Sequence, residues 1–192
     1  MDFLDEMKAC NACKLRSNCT QVVLPIGNTT NPILIICGEC PGTEEDEHGE
    51  PFIGKAGECL RHVLRMTKII NKKNTLITNI VKCRPPANKF PTDDSPVICV
   101  GKWLNKEIEI AKPKRILMLG NVPLKYLAGM KGITQLRGQW LDIKGVRTMA
   151  TYHPSYICRM DNMGEKTKRQ EFEKDIFSMA NEVREIENGQ TS

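Results

Sequence analysis

Four cysteines, one asparagine and one histidine carry most of the chemistry that this chain offers. Cys10 and Cys13 form a C-x2-C pair near the start, and Cys83 and Cys99 form a second pair across a loop containing Pro85, Pro86, Pro91 and Pro96. Two spaced thiol pairs are a metal-ligand pattern, because four thiolates complete either a tetrahedral zinc site or a [4Fe–4S] cluster. The long second interval is awkward for a compact zinc ribbon and acceptable for a cluster, whose thiolates can come from distant loops. By spacing alone, iron–sulfur, zinc and no metal all stay open. Cys37 and Cys59 lie among apolar neighbours and read as small core residues. Cys19 follows Cys13 closely but ranks behind the four.

A second group of residues suits a ligand site. Gly38-Glu39-Cys40-Pro41-Gly42 is a tight turn, followed by an acidic stretch through Glu45 and by Pro51-Phe52-Ile53-Gly54-Lys55-Ala56-Gly57. Glycines at both ends of the turn let backbone N–H groups approach a ligand closely. No GK[ST] follows, and the nearby carboxylates repel phosphate, which argues against nucleotide hydrolysis. A strained loop with a solvated acidic rim is the plainer reading. Asn79 interrupts an apolar run, where an amide must find partners or cost several kcal/mol; bonding to neighbouring backbone would satisfy it. His153, in His-Pro-Ser, is the one histidine of three expected at such a site, since His48 sits in a polar loop and His62 on a helix.

The elements that must position these residues are legible as short apolar runs. Pro32–Gly38, Thr75–Val81, Arg115–Gly120 and Arg147–Tyr152 are nearly continuous, as strands buried on both faces should be. Helical segments lie between them, at Ala56–Thr67, roughly Pro96–Ala111, and Val122–Ala128. Strand and helix in regular succession predict a three-layer αβα domain with a short, four-stranded parallel sheet. Ligands gather outside the carboxyl ends of such strands, where GECPG, KCRPPANKFP and HPSY all fall. Thr167–Glu187 reads as a helix burying Phe172, Ile176, Met179, Val183 and Ile186 on one face. No repeat or low-complexity tract divides the chain, so residues 1–187 read as one domain and 188–192 as a frayed tail.

Composition permits this reading without demanding it. With 192 residues, 40% apolar and 27% charged, the chain is long enough for one substantial core. A net charge of +5 allows contact with a phosphate backbone, whereas 5% aromatics argues against repeated base-stacking platforms. No long apolar run suggests a membrane span or secretory signal. The expected location is the cytoplasm, associated with the nucleoid. Nine cysteines there are a surplus, and the odd number argues against a closed disulfide framework.

Taken in order, GECPGTEED, PFIGKAG, NIVKCRPPANKFP and YHPSYICR resemble the motif set of the family 4 uracil-DNA glycosylases, which carry a [4Fe–4S] cluster. The resemblance runs from about Cys10 to Arg159, and several long motifs in register are more specific than any one. It implies the αβα glycosylase fold, the cluster on Cys10, Cys13, Cys83 and Cys99, and removal of uracil from DNA. The site residues it implies are Gly38, Glu39 and Cys40 lining the pocket and placing the attacking water, Phe52 stacking on the flipped base, Asn79 reading its edge, and His153 donating to O2. Glu39, Cys40 and His153 are thereby the catalytic candidates. Arg84 and Lys89 would face DNA phosphates, with Ser155 also at the DNA, and Arg159 would press on the minor groove. The implied partner is uracil-containing DNA, single- or double-stranded, acted on by a monomer with no membrane partner; no signal speaks for a polymerase or sliding clamp.

The chain departs from the family's pattern in places. Gly42 stands where better-known branches place a bulky tyrosine, which leaves Glu45 as the candidate for excluding thymine at C5, against the alternative of a solvated rim acid. Cys40 occupies a turn position usually small in family 4, which keeps a different modified base in play. Cys158 stands where a leucine is usual, weakening the wedge. No histidine lies in Pro85–Lys89, which rules out the variant that binds uracil covalently. A glycosylase for another base, a non-catalytic DNA-binding subunit and a nucleotide-binding enzyme with structural zinc are the competing readings.

Overall fold

The four apolar runs form the middle of a single sheet. The computed structural model describes residues 2–189. Its strands are β1 (Ile26–Gly27), β2 (Leu34–Gly38), β3 (Thr75–Asn79), β4 (Arg115–Leu119), β5 (Trp140–Ile143) and β6 (Val146–Thr151). Its helices are α1 (Phe3–Lys8), α2 (Thr43–His48), α3 (Lys55–Thr67), α4 (Ser95–Cys99), α5 (Asn105–Ala111), α6 (Asn121–Ala128), α7 (Ile133–Leu136), α8 (Pro154–Asn162) and α9 (Thr167–Glu187).

The sheet order is β1-β3-β2-β4-β6-β5. The inner four strands are parallel, and every residue of β2 and β4 is buried, as expected for strands covered by helices on both sides. The expected count of four strands is corrected to six, because antiparallel β1 and β5 extend the two edges. With two residues, β1 is too short to show any alternation. The β5–β6 hairpin turns on Lys144 and Gly145, both at positive φ (53° and 81°), the conformation of a type I′ turn.

Register decides what meets at the carboxyl edge. Gly38 pairs with Asn79 at the ends of β2 and β3, and Leu119 pairs with Thr151 just before His153. The segment expected as one helix from Pro96 to Ala111 is a single rod with a wide π turn at Val100–Leu104 between α4 and α5. That turn buries Trp103 and Leu104. Helix α9 begins and ends where its pattern predicts, and Asp175 on it accepts from Thr151 Oγ1 at 2.6 Å and from Arg137. This buried carboxylate braces the strand end that leads to His153. Asn188 and Gly189 leave the helix, and the rest of the expected frayed tail, 190–192, lies outside the described residues. Among the described residues no helix is long and apolar enough to cross a membrane.

Candidate active site

A cleft of about 350 Å³ opens beyond the strand ends, lined among others by Glu39, Cys40, Glu45, Phe52, Asn79 and His153. Six of the seven candidate pocket residues thus line one space. The seventh, Gly38, lies directly behind it, where a Cβ would collide with the Phe52 ring and sit 2.5 Å from Asn79 Oδ1. Only glycine lets the ring and the amide come this close.

Phe52 is held by backbone as much as by packing. Its φ is +58°, a left-handed conformation that costs a bulky residue on the order of 1–3 kcal/mol. Arg61 on α3 donates to the Phe52 and Ile53 carbonyls, and Gly57 leaves room where any Cβ would overlap the Phe52 carbonyl. The ring centre of Phe52 lies 6.1 Å from that of His153, tilted by 37°, and both rings border the cleft.

Glu45 is not a solvated rim acid. It is buried, and its carboxylate joins two loops, accepting from Gly42 N–H at 3.0 Å and Gly54 N–H at 2.8 Å. Glutamate three residues into α2, with Gly42 as its cap, is the reciprocal half of a capping box.

Asn79 ends β3, 4% exposed, and its Oδ1 has no hydrogen-bond partner among the described residues. An acceptor buried without a partner costs roughly 1–3 kcal/mol, so Oδ1 is left as an open acceptor at the cleft. The backbone satisfaction that the sequence left open for this amide does not occur at Oδ1.

His153 is the N-cap of α8, with Pro154 at the first helical position. Its Nδ1 accepts from the Ser155 backbone N–H at 3.2 Å and lies 2.8 Å from Ser155 Oγ. A backbone N–H can only donate, so Nδ1 is the acceptor and the neutral ring carries its proton on Nε2. Burial, aided by the positive charge of Arg159, lowers the His153 pKa to about 4. The ring is therefore a neutral donor at physiological pH.

The remaining turn residues divide by charge. Burial raises the Glu39 pKa, opposed by Arg159. Burial, followed by the charges of Glu39 and Glu45, pushes the Cys40 thiol up to about 12. Cys40 is thus a protonated thiol, a weak neutral donor and no thiolate nucleophile.

Of the four candidate DNA contacts, Ser155 lines the cleft, and Arg84, Lys89 and Arg159 do not. Lys89 is exposed, and Arg84 donates to Asn88 Oδ1 at 2.7 Å. Exposed Arg159 sits 5.9 Å from the Tyr156 ring centre. Asn88 and Lys55 also line the cleft and were not anticipated. A signal existed for Asn88: asparagine is among the residues that best tolerate positive φ, here +55°.

The four cysteines singled out by spacing bound one cavity, floored by Trp103 and Lys82. Trp103 Nε1 donates to Cys10 Sγ at 3.1 Å, and the Lys82 backbone N–H reaches the Cys99 sulfur. Burial raises the Cys83 thiol, as do neighbouring Cys19, Cys99 and Cys13, and burial is the main cause that pushes Cys99 to about 11. Four sulfurs around one cavity are a donor set that fits a metal centre. Among the described residues no three His, Cys, Asp or Glu side chains close around one metal ion. Cys19 reaches Cys83 but does not line the cavity.

Known proteins are similar to this chain in sequence. The family model for the uracil DNA glycosylase superfamily matches residues 6–178. The chain is 40% identical over 163 residues to the Type-4 uracil-DNA glycosylase of Thermotoga maritima, which covers 83% of each protein. It is 34% identical over 187 residues to the Type-4 enzyme of Sulfurisphaera tokodaii, 91% of this chain and 84% of that one. With the Type-4 enzyme of Archaeoglobus fulgidus it shares 31% over 184 residues, 91% and 88% of the two.

Proposed function

The chain belongs to the uracil DNA glycosylase superfamily, and we propose that it hydrolyses the N-glycosidic bond of uracil in DNA, leaving an abasic site for base excision repair. The observation that carries this reading is the partnerless Asn79 Oδ1 in the cleft. Uracil N3–H is a donor of the kind that oxygen lacks, while the Asn79 NH₂ can donate to O4. Cytosine reverses donor and acceptor at both positions, so the same amide would leave two buried groups mispaired.

The target base must leave the stack to reach the cleft, where the Phe52 ring offers it a face. As the glycosidic bond breaks, negative charge gathers on uracil O2. A neutral His153 donating through Nε2–H stabilises that charge more than it stabilises the bound substrate. Glu39, which lines the cleft, orients water toward the sugar carbon and balances its positive charge. Cys40, fixed as a thiol, shapes the wall beside it, and Glu45 borders the base's C5 side. Arg84, Lys89, Ser155 and Arg159 supply phosphate and groove contacts.

Cys10, Cys13, Cys83 and Cys99 would hold a [4Fe–4S] cluster. When bound, it cross-links the N-terminal segment to the Cys83–Cys99 loop, a structural role that keeps Arg84 and Lys89 in place. DNA is the partner, and the cytoplasmic nucleoid is the proposed place of action.

Single-turnover cleavage of oligonucleotides carrying U, T, hypoxanthine or a modified cytosine tests the reading. Uracil alone should yield alkali-labile sites. Cleavage of another base with uracil left intact would overturn it.

A further inference from the structure

Between the cleft and the cysteine cavity lies a fully enclosed ion pair that the proposed chemistry does not use. Lys82 and Glu107 have side chains 2% and 1% exposed, with Nζ and Oε2 2.8 Å apart. The three hydrogens of the ammonium match three acceptors: Glu107 Oε2, the Asn79 carbonyl at 2.8 Å and Thr78 Oγ1 at 2.5 Å. Thr78 in turn donates to Glu107 Oε2 at 3.0 Å. A pair buried this deeply is a poor stabiliser, since desolvating both charges offsets most of their attraction and apolar residues of like volume often do as well. Its distinctive property is directional, because it fixes three acceptors around one point.

Those three points belong to different parts of the machinery. Asn79 is the last residue of β3, and its side-chain oxygen has no anchor of its own. The aim of the amide therefore depends on where the backbone at Asn79 is held. Gly38 and Glu39 carbonyls take the next two N–H groups, from Ile80 at 2.9 Å and Val81 at 3.2 Å, and the Asn79 carbonyl is taken by Lys82. Glu107 sits on α5, in the same rod as Cys99. Lys82 itself lines the cysteine cavity. A continuous chain of contacts thus runs from Cys99 through the rod to Glu107, Lys82 and the base-facing residue.

We propose that Lys82, with Glu107 as its counter-ion, is a positioning residue that sets the backbone of Asn79 from the cysteine-bearing rod, and so sets the aim of the uracil-reading amide. The inference rests on the reading of Asn79 as the base reader. Closing the cysteine cavity fixes the rod, the rod fixes the ammonium, and the ammonium fixes the strand end.

The test is a double-mutant cycle through Asn79. Lys82→Met with Glu107→Gln removes both charges at near-constant volume and leaves an acceptor for Thr78. The double variant should purify with parent iron content and bind uracil-containing DNA with parent affinity, yet cleave uracil roughly tenfold more slowly in single turnover. In an Asn79→Ala background the same two changes should cost less than about threefold, because the residue they position is gone. Equal losses in the two backgrounds, or parent rate in the double variant, would overturn the proposal. Should the double variant fail to accumulate, Glu107→Gln alone enters the cycle, with a smaller loss expected and the same comparison deciding. The underlying reading fails separately, if Asn79→Ala itself cleaves uracil at the parent rate.

Discussion

Replacing Asn79 by aspartate exchanges one nitrogen for oxygen and preserves the shape of the side chain. When ionised, the new group still accepts from uracil N3–H but turns a second acceptor toward O4. The lost hydrogen bond alone corresponds to about 1–3 kcal/mol, or roughly 5- to 150-fold in rate at 1.4 kcal/mol per factor of ten, and repulsion between the facing oxygens adds to it. The sign with pH follows from burial. Asn79 is 4% exposed, and burial disfavours a charged carboxylate, raising its pKa. Below that pKa the acid presents one O–H donor and one carbonyl acceptor, which restores the pattern that uracil needs. The ratio of Asn79→Asp to parent rate should therefore be low at pH 8 and climb as pH falls. Weak cytosine cleavage should appear in the same acidic range, since the neutral acid can also donate to cytosine N3 and accept from its amino group. The assay is single-turnover cleavage of U and C opposite the same base, with folding followed by cluster absorbance and Asn79→Ala alongside. If both variants fold and cleave uracil at the parent rate at every pH, Asn79 does not read the base.

The other predictions concern the rest of the site. His153→Ala and His153→Asn should bind uracil-containing DNA normally while single-turnover cleavage falls on the order of 10²-fold; near-parent cleavage by both would return the residue to a packing role. Because His153 stays neutral down to about pH 4, the acid limb of the parent's rate should belong to Glu39, whose raised pKa removes its charge first as pH falls. Glu39→Gln should lower the plateau and flatten that limb, whereas His153→Asn should leave its position unchanged in the same pH–rate series. The depressed His153 pKa also contributes stability that is present above the unfolded value near 6.5 and lost as pH falls toward 4, so the parent's melting temperature should drop more steeply over that range than that of His153→Asn. Protein purified under nitrogen should hold about four irons per chain, and Cys83→Ser should lose most of them; stoichiometric zinc in the parent would refute the cluster.

Much of this site was legible because its chemistry is local in the chain. Strands β2, β3, β4 and β6 announce themselves as apolar runs, and the residues just past β2 and β6, with Asn79 at the end of β3, line the cleft. Helix α9 shows its face through Phe172, Ile176, Met179 and Val183. What escaped is structure decided by single backbone conformations or by distant partners. Lys-Gly is a weak hairpin signal compared with Asn-Gly, so β5 was missed. The Pro in His-Pro-Ser reads as a turn until it is known to open α8. Nothing in the local sequence says that Glu45 points inward, because its two partners, Gly42 and Gly54, are offered by loops on either side of α2. Lys82 lies beside Cys83, and nothing near it in the chain announces its partner Glu107, which comes from the far end of the rod.

The inward Glu45 has a consequence for how such a pocket can change over evolutionary time. Its carboxylate fixes the turn through the backbone of Gly42 and ties it to the backbone of Gly54, and backbone contacts are indifferent to which side chain stands at position 40. The cleft wall at Cys40 is thereby freed from the task of holding its own shape. Substitutions at Cys40 can be sampled one at a time without loss of the loop, which makes that position a place where the shape of the cleft can drift. Position 45 is the reverse: a change there would unfasten two loops at once, and few lineages could explore it without first losing the pocket.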